Sequence, residues 1–255
     1  MDPEHSRAFS SGRRPTVAIT GASGALGQAL LRQWHRRGAD LIALRSSAAA
    51  LELGDDGGES LKLRQICWQV GEEEALRPLL AEVDVLVLNH GVNVHDRRSP
   101  EATRESLEVN ALSSWRLLEL FAAVTAERRG PNPDRDQADR PPPEVWVNTS
   151  EAEIQPALSP LYEISKRLLG QLLSLRALDL APALRIRRLV LGPFRSALNP
   201  IGVMSPNFVA GQVMLQARLG CNLIIVTPNP LTYVLMPLAT LTRWLYVRAI
   251  THPGR

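Results

Sequence analysis

A doubly wound α/β fold built on a parallel sheet is predicted by three features of this 255-residue chain. Short β-branched apolar runs alternate with segments of helical period. Most of those runs are continuously apolar, as strands covered on both faces must be, and the first of them meets glycines at once. Residues 16 to 20, TVAIT, read as the first strand. The segment after the glycines places Leu26, Leu30, Leu31 and Trp34 at helical spacing. Further strands are expected at 41 to 44, near 63 to 70, at 84 to 89, 145 to 150 and 185 to 191, with helices at 101 to 128 and 161 to 180. The predicted core domain spans 16 to 227, preceded by a flexible tail over 1 to 15. Residues 128 to 143, rich in proline and charge, read as an exposed loop. The last sixty residues look less regular. They suggest a final strand NLIIVT and an apolar capping element over 228 to 255, with a helix from Leu231 to Ile250.

Composition narrows the function classes. Twenty-nine basic and 26 acidic residues give a net charge of only +3, with the basic residues scattered, so no nucleic-acid partner is expected. Two cysteines, Cys67 and Cys221, make neither a disulfide framework nor a four-ligand zinc site. They favour a reducing compartment and read as buried packing thiols. With a polar start and no secretory leader, a cytoplasmic protein is expected. Lys62 and Lys166 are the two lysines in an arginine-rich chain.

The first turn reads Thr20-Gly21-Ala22-Ser23-Gly24-Ala25-Leu26-Gly27. Its glycines stand where a backbone must turn sharply, approach a diphosphate and let a helix close on a strand, so Gly21, Ser23, Gly24, Ala25, Leu26 and Gly27 are candidates to hold a dinucleotide. Arg45 and Ser46 follow the second strand, where such folds read the adenosine ribose. An arginine there suits a 2′-phosphate, hence NADP(H) in preference to NAD(H). Tyr162 and Lys166 are four apart and share a helix face, where an ammonium can stabilise a phenolate that exchanges protons with a substrate oxygen.

In this order the motifs resemble the short-chain dehydrogenase/reductase superfamily, in its compact branch of about this length, and the likeness implies a Rossmann-like single domain. Asn89-His90-Gly91 resembles the superfamily's Asn-Asn-Ala-Gly turn, and Asn110 matches its catalytic-helix asparagine. Ser150 matches the serine that precedes Tyr-x-x-x-Lys, and Leu191-Gly192-Pro193-Phe194-Arg195-Ser196 looks like the segment that meets the nicotinamide carboxamide. The resemblance implies that Tyr162 acts as acid or base, Lys166 tunes it and holds the ribose, Ser150 bonds the reacting oxygen and Asn110 holds a relay water. It also implies cofactor contacts from Gln69, Val70, Asn89, His90, Gly91, Gly192, Pro193, Phe194 and Ser196. The expected activity is NADP-dependent hydride transfer to or from a small-molecule carbonyl or secondary alcohol, with a substrate loop near 197 to 215 and a homo-oligomeric assembly.

Departures from the pattern keep two alternatives open. The G-x-x-G-x-x-G spacing is nearer to the extended, sugar-nucleotide-modifying branch, which favours an epimerase or dehydratase, although the chain is short for that branch. Gln69 in place of an aspartate and Leu191 in place of a proline favour a non-catalytic NADP-binding protein. His90 with His95 and Asp96 lacks ligand spacing, so no metal is expected. From Leu219 to Thr242 there are 24 uncharged residues, interrupted by Pro228, Pro230 and Pro237. The helix there is expected to pack on the sheet or a second subunit, or to touch a membrane peripherally, with Trp244, Tyr246, Arg243 and Arg248 at the headgroups.

Overall fold

The computed structural model describes residues 14–54, 58–130 and 141–250, so most of the predicted tail and ten residues of the predicted exposed loop lie outside it. Seven parallel strands form one sheet in the order β3-β2-β1-β4-β5-β6-β7. They are β1 Thr16–Thr20, β2 Asp40–Arg45, β3 Arg64–Cys67, β4 Val85–Leu88, β5 Glu144–Ser150, β6 Arg185–Leu191 and β7 Leu223–Val226. Helices, the short α2 (Arg77–Leu80) among them, cover both faces, as a parallel sheet requires. Val17 and Ile19 of β1 face α1 (Ala25–His35) and α6 (Pro206–Arg218), packing with Leu30, Trp34 and Val213. Ala18, between them, joins the other layer with Phe121 of α4 (Ser113–Arg129) and Leu169 of α5 (Pro160–Leu180). This is the period-two alternation of a strand serving two cores.

Three expectations change. The segment 101 to 128 is not one helix: α3 (Pro100–Leu107) passes through a π turn at Glu108–Leu112 into α4, and Asn110 is buried in that turn. The final sixty residues do not lose the alternation. Residues 206 to 218, which overlap the expected substrate loop, form α6, whose Val209, Ala210, Val213, Met214 and Ala217 are buried, and β7 extends the sheet. Its short apolar stripe follows Ser205, whose hydroxyl caps the helix by accepting from the Phe208 amide at 3.2 Å. Cys67 is exposed rather than buried.

The sheet's amino edge is clamped by charge. Glu144 opens β5 and accepts from Arg187 Nε at 2.6 Å, Arg187 Nη2 at 2.8 Å and Trp146 Nε1 at 2.7 Å, while Arg187 Nη1 reaches the Cys221 carbonyl at 2.6 Å. Arg187 is 1% exposed, so its charge is compensated inside the protein. The opposite, carboxyl edge carries the candidate site, beside the point where strand order reverses between β1 and β4.

Candidate functional site

At that reversal Gly21 has φ +60°, a backbone state that favours glycine, and a Cβ there would meet the Asn89 carbonyl at 2.9 Å. A Cβ on Gly27 would lie 2.3 Å from the Gly21 carbonyl, so α1 presses directly on the turn. No side chain caps α1 at Gly24 and its first turn holds no acidic residue. Its leading amides are left for an anion, and this cradle fits the diphosphate of a dinucleotide. Ser23 and Gly24 are exposed, while Leu26 is buried and anchors the helix.

Thr20 ties the turn to the end of β4. Its hydroxyl accepts from the Asn89 amide at 2.8 Å and the His90 amide at 3.2 Å, and lies 2.8 Å from His90 Nδ1. Burial, then the Lys166 charge, lower the His90 imidazole to about 4, so the ring is neutral at ordinary pH. It stands edge-on to Trp68, with ring centroids 5.4 Å apart. From here a polar chain crosses the sheet edge. Asn89 Nδ2 donates to the Gly21 carbonyl at 3.4 Å, Asn148 Nδ2 to Asn89 Oδ1 at 2.9 Å, and Lys166 Nζ to the Asn148 carbonyl at 3.0 Å. The glycine turn and the lysine are thus held in one network. No group that could hold a metal ion is found among the described residues.

Ser150 is the last residue of β5, while Tyr162 and Lys166 lie one turn apart on α5. The structure brings the three together. Lys166 Nζ is 5.6 Å from the Tyr162 ring centroid, and Ser150 is hydrogen-bonded to the Tyr162 hydroxyl. Burial pushes the Tyr162 phenol up, the Ser150 hydrogen bond pulls it down, and the nearby Glu151 carboxylate raises it further. Burial lowers the Lys166 ammonium to about 8. Asn110 is buried, with both ends of its side-chain amide engaged. Its amide donates to the Val92 carbonyl at 2.9 Å and to Ser165 Oγ at 3.1 Å, and its Oδ1 accepts from the Val92 amide at 2.8 Å. The side chain therefore locks the loop after β4 to α5, and the π turn sets the helix so that it can do so.

Arg45 is buried at 7% exposure. It donates to the Ser47 carbonyl at 2.7 Å and to the Ala49 carbonyl, which shapes the loop after β2. Gln69, exposed, donates to the Ser46 carbonyl at 2.8 Å, and Val70 packs on the edge of the core beside it. After β6, Gly192 fits against Thr227, whose Oγ1 would lie 2.3 Å from a Cβ. The Pro193 carbonyl accepts from the Val203 amide at 3.0 Å, Phe194 bridges Met204, and Ser196 turns back on Asn199.

Sequence reasoning missed Glu151. Its Oε2 accepts from Thr227 Oγ1 and from Thr232 Oγ1, and Gln155 Nε2 donates to Thr232 Oγ1 at 2.8 Å. The available signal was its place directly after Ser150.

Residues 17–129 match the NAD dependent epimerase/dehydratase family. A monoglucosyldiacylglycerol epimerase of Synechocystis sp. is 47% identical over 236 residues, 92% of this chain and 54% of that protein, so the chain spans about half the length of this relative. Among solved structures, a short-chain dehydrogenase from Sphingobium yanoikuyae in complex with NADPH aligns with a TM-score of 0.71 at 15% identity, covering 94% of this chain and 98% of the other. A bulky-bulky ketone specific alcohol dehydrogenase from Comamonas testosteroni aligns at 0.70 and 16% identity, covering 94% and 97%. These two likenesses show the shared fold. The first half of the chain thus matches the NAD dependent epimerase/dehydratase family, and the whole chain has the fold of these dehydrogenases.

Proposed function

We propose that the chain binds a nicotinamide dinucleotide and inverts a secondary alcohol carbon on the sugar of a glycosyl-diacylglycerol, an epimerisation by removal and return of hydride. The joining of Ser150, Tyr162 and Lys166 beside the glycine cradle carries the hydride reading; the 47% identical relative, a glycolipid epimerase, supplies the substrate class. The dinucleotide, when bound, accepts the hydride and gives it back. Tyr162 takes the hydroxyl proton as the C–H bond breaks and returns it when the carbon is reduced on its other face, so neither protons nor electrons are consumed overall. Ser150 orients the reacting oxygen. Lys166, protonated below about pH 8, favours the phenolate that burial and Glu151 disfavour. Glu151, fixed through one oxygen, offers a carboxylate acceptor for a second sugar hydroxyl.

The rival reading, net oxidation or reduction of a secondary alcohol or ketone, is favoured by the fold neighbours. Incubation of the chain with a glucosyl-diacylglycerol and a trace of NAD+ or NADP+ separates them. Epimer without accumulation of reduced cofactor supports the proposal; stoichiometric reduced cofactor with a keto product favours the rival.

The NADP preference is likewise a proposal, carried by Arg45. Arg45→Asp is expected to lower the ratio of NADH to NADPH dissociation constants by about tenfold or more, since a carboxylate repels a 2′-phosphate and accepts from a 2′-hydroxyl. Fluorescence titration checks this. An unchanged ratio assigns Arg45 to the loop carbonyls alone.

A further inference from the structure

The last helix, α7 (Pro230–Ile250), is held to the protein along one narrow stripe. Thr232 and Met236 are buried, while Thr240, Arg243 and Val247 are partly covered. Leu231, Tyr233, Val234, Leu235, Leu238, Leu241, Leu245 and Tyr246 are all exposed, several by more than half. At 3.6 residues per turn, the uncovered positions from 231 to 246 sweep about 240° of the circumference. No charged side chain interrupts this arc, because Arg243, the charge in that stretch, lies in the covered stripe. A helix that packs on a second protein needs an apolar stripe of only about 100°. An arc more than twice as wide suits a medium that wraps the helix, and no described helix is long and apolar enough to cross a membrane.

The helix begins at the catalytic edge. Thr232 is bonded to Gln155 and Glu151, in the turn after Ser150, and Tyr233 donates to the Thr227 carbonyl at 3.2 Å. Connections leaving the same edge expose Leu158 at 93%, Ile201 at 76% and Val203 at 63%. These side chains add to the uncovered apolar surface on the carboxyl edge of the sheet, the edge that carries the site.

We propose that α7 and this apolar surface lie in the acyl region of one bilayer leaflet, so that the site opens onto the membrane surface. The occupant is lipid rather than a second copy of the chain, on the width of the arc. Binding to bilayers stands apart from the reaction, so turnover is not its readout.

Flotation of the whole chain with phosphatidylcholine vesicles, and with vesicles containing phosphatidylglycerol, tests it. The chain is expected to float with both. L238E/L241E, which changes two exposed residues outside the catalytic machinery, is expected to lower the bound fraction at least about tenfold while NADPH binding is retained. A second variant, L238S/L241S, guards against misfolding and should show a smaller loss in the same direction. Failure of the folded chain to float overturns the proposal. So does equal flotation of the variants, or an unliganded dimer that L238S/L241S dissolves without any vesicle binding.

Discussion

Tyr162→Phe is expected to lower turnover by at least about two orders of magnitude, the scale of a lost general acid or base. Removing one oxygen leaves the ring between its neighbours and does not touch the Gly21 to Lys166 network, so dinucleotide affinity should stay within about threefold of the parent, a change smaller than one ordinary hydrogen bond. Single-turnover kinetics beside NADPH titration make the comparison. Retention of most of the rate would remove Tyr162 from the chemistry, whereas loss of binding with the rate would make it a structural residue. Lys166 should behave differently, because its ammonium joins the Asn148 carbonyl and the site at once.

Glu144→Ala is expected to destabilise the protein by about 3–5 kcal/mol, because it strands the buried Arg187 guanidinium without its carboxylate. It also takes the acceptor from Trp146, which lies in tilted contact with Trp34, ring centroids 5.3 Å apart. Glu144 and Ser150 are six residues apart on β5, about 20 Å at strand rise, so turnover per folded molecule should change little. A denaturant midpoint gives the stability loss, and a drop below about 1 kcal/mol, the value of an ordinary exposed pair, would contradict the clamp.

How much of this was legible in the sequence follows from where each signal lies. TVAIT and RIRRLVL give β1 and β6 with the expected bounds, because each is a short run that closes on apolar or β-branched residues and stops at a glycine. The π turn at Asn110 was invisible: 101 to 128 keeps helical composition throughout, and the break comes from tertiary bonds to Val92 and Ser165. Helix α6 was hidden because its N-terminal half reads as a loop, with Pro206, Asn207 and Gly211, while its burial depends on α1 and on β-strands far away in the chain. Arg187 reads as one more polar residue within a strand; that it is buried against Glu144 depends on the register of β5 with β6. Of the site, the glycine turn and the serine, tyrosine and lysine were readable, since each sits in a spaced motif. Glu151 was not, because its neighbours Thr227 and Thr232 approach from the end of β7 and the start of α7.

Hydride transfer is read from the fate of the hydrogen that moves. A glucosyl-diacylglycerol labelled with deuterium at each sugar carbinol carbon in turn is incubated with the chain and unlabelled dinucleotide, and the epimer is analysed by mass spectrometry. Under hydride removal and return, the label at the inverted carbon comes back to that same carbon, with no net reduced cofactor and no turnover in Tyr162→Phe. Inversion with loss of that deuterium to water would contradict hydride transfer and, with it, the roles assigned to Tyr162 and Lys166.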